Sequence, residues 1–157
     1  MDPAFLVLPG LWSSKGTKKD VMDDAVRRAA ALGYPIVGTC RGHQVVARAL
    51  GATIQKGTKE WGPREIVITA KDPVFKGLPR GRSFVNSESH RYEVAKPLGR
   101  MQVIASSKGC TNQVFRYRGK PWYTFQGHIE RGWHVASPEA VQLWKNMFRA
   151  WGVLKNP

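Results

Sequence analysis

Apolar side chains at Val21, Met22, Ala25, Val26, Ala29 and Leu32 recur at helical spacing, which predicts a helix capped by Asp20 and stopped by Gly33. Ile36 to Thr39 is a short apolar run, the signature of a buried strand, and Val45 to Leu50 is a second helical stretch ending at Gly51. Arg64 to Thr69 alternates apolar and polar residues, as a half-exposed strand does. Asp72 to Gly81 holds two prolines and the turn Lys76-Gly77-Leu78-Pro79, so it reads as a loop with room for one helical turn. Strands are expected at Gln102 to Ser106 and Gln113 to Tyr117, then a turn at Arg118-Gly119-Lys120-Pro121 and the strand Trp122 to Phe125. Ser137-Pro138-Glu139 starts a last helix, on which Val141, Trp144, Phe148 and Trp151 form a stripe read as core packing. No linker or repeat interrupts the pattern, so a single domain over residues 1–157 is expected. Strands alternating with helices imply an α/β fold: three layers, a mostly parallel sheet with flanking helices, and sites at the carboxyl ends of strands.

Composition narrows the class. The 157 residues suffice for one domain with a real core. Two cysteines, Cys40 and Cys110, make no disulfide framework and argue for a reducing compartment. No apolar run approaches the roughly 20 residues that span a bilayer, and no basic region precedes the short apolar run near Met1. A cytoplasmic protein without membrane contact is the expectation. Charge stands out: 25 basic against 11 acidic residues give +14. Such an excess favours an acidic protein face, nucleic acid or an anionic surface. The basic residues are scattered, which solvation alone also explains, and no zinc pair or RNP-like aromatic motif speaks for nucleic acid.

Candidate chemistry centres on Gly38-Thr39-Cys40-Arg41-Gly42-His43-Gln44. A cysteine between a buried strand and a helix N-terminus sits where backbone N–H groups and the helix dipole favour a thiolate. The flanking glycines permit a tight strand-to-helix elbow. By itself this stretch is equally compatible with an inert structural cysteine. Downstream, the strand ending at Phe125 leads into Gln126-Gly127-His128-Ile129-Glu130. A histidine and a carboxylate two apart can project to the same side, the glutamate fixing the imidazole while its other nitrogen faces a thiol. Nucleophile, base and orienter make up the arrangement of covalent acyl transfer.

With the G-x-C-x-G-x-Q elbow and the H-x-E pair in place, the chain resembles the class I, triad-type glutamine amidotransferases, closest to the amidotransferase domain of GMP synthetases and their free-standing relatives. Phe5-Leu6-Val7-Leu8-Pro9-Gly10 looks like that family's oxyanion-loop strand and Lys59-Glu60-Trp61-Gly62 like its charged-aromatic-glycine stretch. Ser89-His90-Arg91-Tyr92-Glu93-Val94 looks like its S-H-x-D-x-V segment, and Val103 to Ser107 matches the strand after that. The resemblance implies Cys40 as nucleophile, His128 as base and Glu130 as orienter. It implies oxyanion donors at Arg41 and Leu11, and glutamine bound by Gly10, Gln44, Ser89 and His90. Neither cofactor nor metal is implied.

The chain departs from the family's pattern in three places. Leu11-Trp12 follows Pro9-Gly10 where a second glycine is usual, and Gln126-Gly127-His128-Ile129-Glu130 replaces Q-F-H-P-E. The family's additional β-α units before the oxyanion-loop strand have no counterpart ahead of Phe5, so an open sheet edge and pairing of two copies are expected. The resemblance thus implies a glutaminase serving a synthetase-type partner, and the basic excess suggests that the partner's face is acidic. The alternatives are a weak or inactive amidotransferase-like binding or regulatory protein, and a hydrolase of γ-glutamyl peptides. His90 is expected to be structural or substrate-side rather than a rival base, because no carboxylate lies two residues after it. A DJ-1-like reading shares the cysteine elbow but leaves Gln44 and the H-x-E pair unexplained.

Overall fold

The computed structural model describes residues 5–10, 21–79, 81–130 and 137–155. Asp20, the expected cap of the first helix, lies outside them. Strands Leu6–Leu8 (β1), Ile36–Thr39 (β2), Ile54–Ile68 (β3), Ser83–Val94 (β4), Met101–Ser106 (β5), Val114–Tyr117 (β6) and Trp122–Phe125 (β7) form one seven-stranded sheet, ordered β1-β2-β7-β6-β5-β3-β4. Helices Val21–Ala31 (α1), Arg41–Ala49 (α2) and Pro138–Ala150 (α3) flank it.

The α/β class holds, with less parallel pairing than the alternation implied. β1 with β2 and β2 with β7 are parallel, whereas the other four pairings are antiparallel. Parallel neighbours need a crossover. Between Ile54 and Phe125 the described residues offer only the short 3-10 turn Pro73–Phe75, so these strands reverse through turns.

Three layers follow from where the apolar faces point. Val26 and Ala29 of α1 and Val45, Val46 and Ala47 of α2 pack with Ile36, Phe115 and Trp122 on one face of the sheet. Leu143 and Met147 of α3 pack with Val37, Ile66, Ile104 and Phe125 on the other. α3 starts as its sequence dictates, with the Ser137 hydroxyl accepting from the Ala140 N–H at 3.0 Å. Its buried face is rotated from the expected stripe: Ala140, Leu143 and Met147 are buried, Val141 is exposed, and Trp144 and Trp151 flank the core half-buried.

β3 is much longer than the Arg64 to Thr69 run, and β4 is a strand that apolar periodicity does not announce. Phe84, Asn86, Glu88 and His90 alternate inward along β4, so its buried row is mostly polar. No helix among the described residues is long and apolar enough to cross a membrane.

Candidate active site

β2 ends at Thr39 and α2 begins at Arg41, so Cys40 alone makes the turn. The helix therefore starts four residues ahead of the apolar stretch at Val45. Cys40 has φ 49 and ψ −108, the one positive φ at a non-glycine among the described residues. Such a conformation costs about 1–3 kcal/mol and persists only where the surroundings impose it. Sterics explain the two flanking glycines. A Cβ at Gly38 would stand 2.7 Å from the Gly42 carbonyl carbon and oxygen, and one at Gly42 would collide with the Leu8 carbonyl. Both chain segments thus pass in contact at the elbow, and neither position has room for a side chain.

β7 lies beside β2 in parallel register, with Thr39 opposite Phe125, and the Cys40 N–H donates to the Phe125 carbonyl at 2.8 Å. The segment after β7 is held by the His128 N–H, which donates to the Ser87 carbonyl of β4 at 2.8 Å. These anchors bring the imidazole to the elbow. His128 Nδ1 lies 2.7 Å from Glu130 Oε1. Burial works against a charge on the His128 ring. Hydrogen bonds to the Cys40 side chain and to Glu130, with the charges of both groups, outweigh it and raise the pKa from 6.5 to about 9. Burial likewise works against the Glu130 carboxylate, but its bond to His128 prevails and holds its pKa below the usual range. The structure therefore brings Cys40, His128 and Glu130 together as one chain of contacts.

Gly10 sits against this couple: a Cβ there would lie 2.5 Å from His128 Cε1 and 3.0 Å from Cys40 Cβ. Arg41 is the first residue of α2, so its N–H belongs to the amides that emerge from the helix N-terminus beside Cys40. Leu11, the other expected oxyanion donor, lies outside the described residues.

Gln44 is buried rather than a helix-surface amide. Its Nε2 donates to the Tyr92 carbonyl at 2.7 Å and to Gln126 Oε1 at 3.3 Å, tying α2 to β4 and to the end of β7. Ser89 meets the site through its backbone, its carbonyl accepting from Cys40 Sγ at 3.8 Å. No carboxylate follows His90 by two residues, but the structure supplies two that the sequence reading does not consider. His90 has as carboxylate neighbours Glu88, two residues before it on the same strand, at 3.0 Å, and Glu60, opposite it on β3, at 3.2 Å. Its ring is engaged with them in the interior. His43 packs under the elbow, fully buried on Phe115, with Nδ1 2.8 Å from the Thr124 hydroxyl. Burial lowers its pKa to about 3, so it stays neutral. Cys110 is buried, and desolvation pushes its thiol pKa well up.

A strained cysteine at a strand-to-helix elbow with a histidine–carboxylate pair beside it is an arrangement that suits nucleophilic acyl-transfer chemistry. The model of the class-I glutamine amidotransferase family matches residues 2–149, and the chain belongs to that family. Among its relatives, the glutamine-hydrolysing GMP synthase subunit of Pyrococcus abyssi is 37% identical over 131 residues, covering 83% of this chain and 68% of the relative. Its counterpart from Methanothermobacter thermautotrophicus is 32% identical over 131 residues, covering 82% and 66%. This chain thus spans about two thirds of the length of these relatives. A glutamine amidotransferase structure from Thermotoga maritima superposes with a TM-score of 0.69 at 20% identity, covering 94% of this chain and 62% of that one. A Thermoplasma acidophilum structure superposes with a TM-score of 0.74 at 24% identity, covering 84% and 64%. These two likenesses speak for the fold.

Proposed function

We propose that the protein hydrolyses the side-chain amide of glutamine, with Cys40 as nucleophile, and delivers the ammonia to a partner synthetase. The observation that carries this reading is His128 bonded to Glu130 at 2.7 Å and seated beside Cys40, a Gly10 Cβ falling within 3.0 Å of both side chains, at an elbow where Cys40 holds a positive φ. His128 takes the Cys40 thiol proton as the sulfur attacks the amide carbon, the carbonyl π bond opens, and its oxygen becomes the oxyanion of a tetrahedral intermediate. The Arg41 N–H and a donor from the segment after Gly10, at Leu11, stabilise that charge, each contributing on the order of 3 kcal/mol. His128 passes its proton to the nitrogen, the C–N bond breaks, and ammonia leaves a γ-glutamyl thioester on Cys40. His128 then takes a proton from water, whose oxygen attacks the thioester. Glutamate departs and the thiol is restored. Glu130 keeps one face of the imidazole occupied throughout.

Glutamine's α-amino and carboxylate groups are assigned to the Ser89 and His90 segment, through its backbone, with Gln44 lining the same end. The chemistry needs no cofactor or metal. A cytoplasmic location fits a reaction that consumes free glutamine. The excess of basic residues suits an acidic face on the synthetase.

The deciding experiment is ammonia and glutamate release from glutamine by the purified protein, alone and with a candidate synthetase. A glutamine-analogue electrophile should modify Cys40. Turnover with γ-glutamyl peptides but not glutamine would instead identify a peptide hydrolase. Failure of both, with intact fold and no labelling, would leave a binding or regulatory protein.

A further inference from the structure

A second group of ionisable side chains is enclosed in the sheet, apart from Cys40. Glu60 comes from β3, and Glu88 and His90 from β4, where strand register sets Glu60 opposite His90. Glu88 and His90, two apart, share the inward face of their strand. The side chains of Glu60, Glu88 and His90 are 5%, 0% and 2% exposed. His90 Nε2 stands 3.2 Å from Glu60 Oε2 and 3.0 Å from Glu88 Oε2. Neither approach has the direction of a hydrogen bond, and both Glu88 oxygens are buried without a hydrogen-bond partner.

Charge makes this arrangement hard to account for as an ion pair. Two carboxylates against one imidazole leave a net negative charge even when the ring is protonated, and burying an uncompensated charge is strongly unfavourable. A cation among the three donors resolves both problems. Donors about 2.1 Å from one ion, at angles between octahedral and tetrahedral, would lie about 3.0–3.4 Å apart. The two nitrogen–oxygen separations fall in that range.

The surroundings are built to the carboxylates. Gly127 has no side chain where the Glu88 carboxylate and the Asn86 amide lie, and a Cβ there would collide with both. A Cβ at Gly109 would meet Glu60 Oε1 at 2.6 Å. Gln113 Nε2 donates to Glu60 Oε2 at 3.0 Å and the Ser107 hydroxyl to the same oxygen at 3.2 Å, which orients that carboxylate as outer partners orient metal ligands.

We propose that Glu60, Glu88 and His90 bind one divalent transition-metal ion, of the Zn2+ type that a donor set of one imidazole and two carboxylates suits. The ion clasps β3 to β4 and fixes Ser89, between two of its ligands, with its carbonyl toward Cys40. The site stands independently of the glutaminase reading.

The test uses the full chain without a histidine tag, stripped with chelator and returned to Zn2+ or Co2+ alone. One equivalent of metal per chain after gel filtration, and a higher Tm with metal than without, are expected. Glu88→Gln and His90→Gln should each lower Zn2+ affinity by about 100-fold. Should those variants fail to fold, the Co2+ spectrum of the unmodified chain still decides. Nitrogen-and-oxygen ligand-field bands support the site, and a thiolate charge-transfer band would move the metal to a cysteine and overturn it. Sub-stoichiometric metal with no change in Tm would also overturn it, leaving a cluster neutralised by protons. So would folded variants that retain wild-type affinity.

Discussion

A methyl group at Gly10 would stand 2.5 Å from His128 Cε1 and 3.0 Å from Cys40 Cβ, well inside the ~3.5–4.0 Å at which carbon atoms pack. The ring, held at Nδ1 by Glu130, would be the part to move. Displacements of about 1 Å in a reacting pair cost on the order of 100-fold in rate. Gly10→Ala should therefore lower kcat for glutamine by about that factor while its cost in stability stays within the about 1–3 kcal/mol of overpacking. Steady-state kinetics beside a melting curve would check it, and an unchanged kcat would remove His128 from the chemistry.

The two thiols differ in a way a reagent can read. Cys110 is buried with its pKa driven up by desolvation, whereas Cys40 is partly exposed beside His128. A glutamine-analogue electrophile should label Cys40 alone. Peptide mass spectrometry placing the label on Cys110 would contradict the assignment of the nucleophile.

His128 also carries a pH dependence. Its folded pKa of about 9 lies above its ordinary 6.5, so the stability it contributes is complete below 6.5, declines above it, and is lost as pH rises through about 9. Glu130, with its pKa lowered, acts in the opposite range: its contribution is present above its ordinary 4.5 and is lost as pH falls through its folded value. Between about pH 6 and 10, Tm of the wild type should fall more than that of His128→Ala. Parallel curves would mean that the couple does not form.

At the scale of elements, the junction of β7 with β4 departs most from what the sequence announces. Gly127 is a glycine because the Glu88 carboxylate and the Asn86 amide already fill the space its side chain would take. Gly127→Ala should destabilise the fold by about 1–3 kcal/mol, the usual cost of overpacking. Part of that cost should vanish in the double variant with Glu88→Ala, because the two changes meet at one place. Urea denaturation of the three variants measures the coupling, and strict additivity would refute the contact.

The same junction shows where sequence reading reaches its limit. Helices α1 and α3, the strand before the elbow and strands β5 to β7 are legible because their buried faces are apolar. β4 is not, because its inward row runs through Asn86, Glu88 and His90. β3 reads short because Gly57, Gly62 and Pro63 break its alternation. The proximity of Cys40, His128 and Glu130 is legible from two local motifs at strand ends. The carboxylates around His90 are not, since Glu60 reaches it only through strand register.

For the molecule as a whole, the two edges of the sheet differ in what covers them. β4 is an edge strand, but its carbonyls at Ser87, Ser89, Tyr92 and Val94 accept from His128, Cys40, Gln44 and Asn112. The candidate active site itself closes that edge. β1 pairs with β2 alone among the described strands, and Val7 in its middle is 43% exposed. α3 reaches this end through ring contacts of Phe148 and Trp151 with Phe5, at centroid distances of 5.5 and 5.8 Å. An apolar parallel edge of this kind invites pairing with a second copy. Charge sets the conditions. Each chain carries +14, so two copies repel at low salt. Raising ionic strength shortens the screening length from about 30 Å at 0.01 M to about 8 Å at 0.15 M, which relieves that repulsion. The dimer fraction of this chain should therefore increase with salt. Docking to the proposed acidic synthetase should weaken over the same range. Light scattering across protein concentration at low and physiological salt separates the cases. A monodisperse monomer at every concentration and ionic strength would show that Phe5 and the aromatic end of α3 already protect β1.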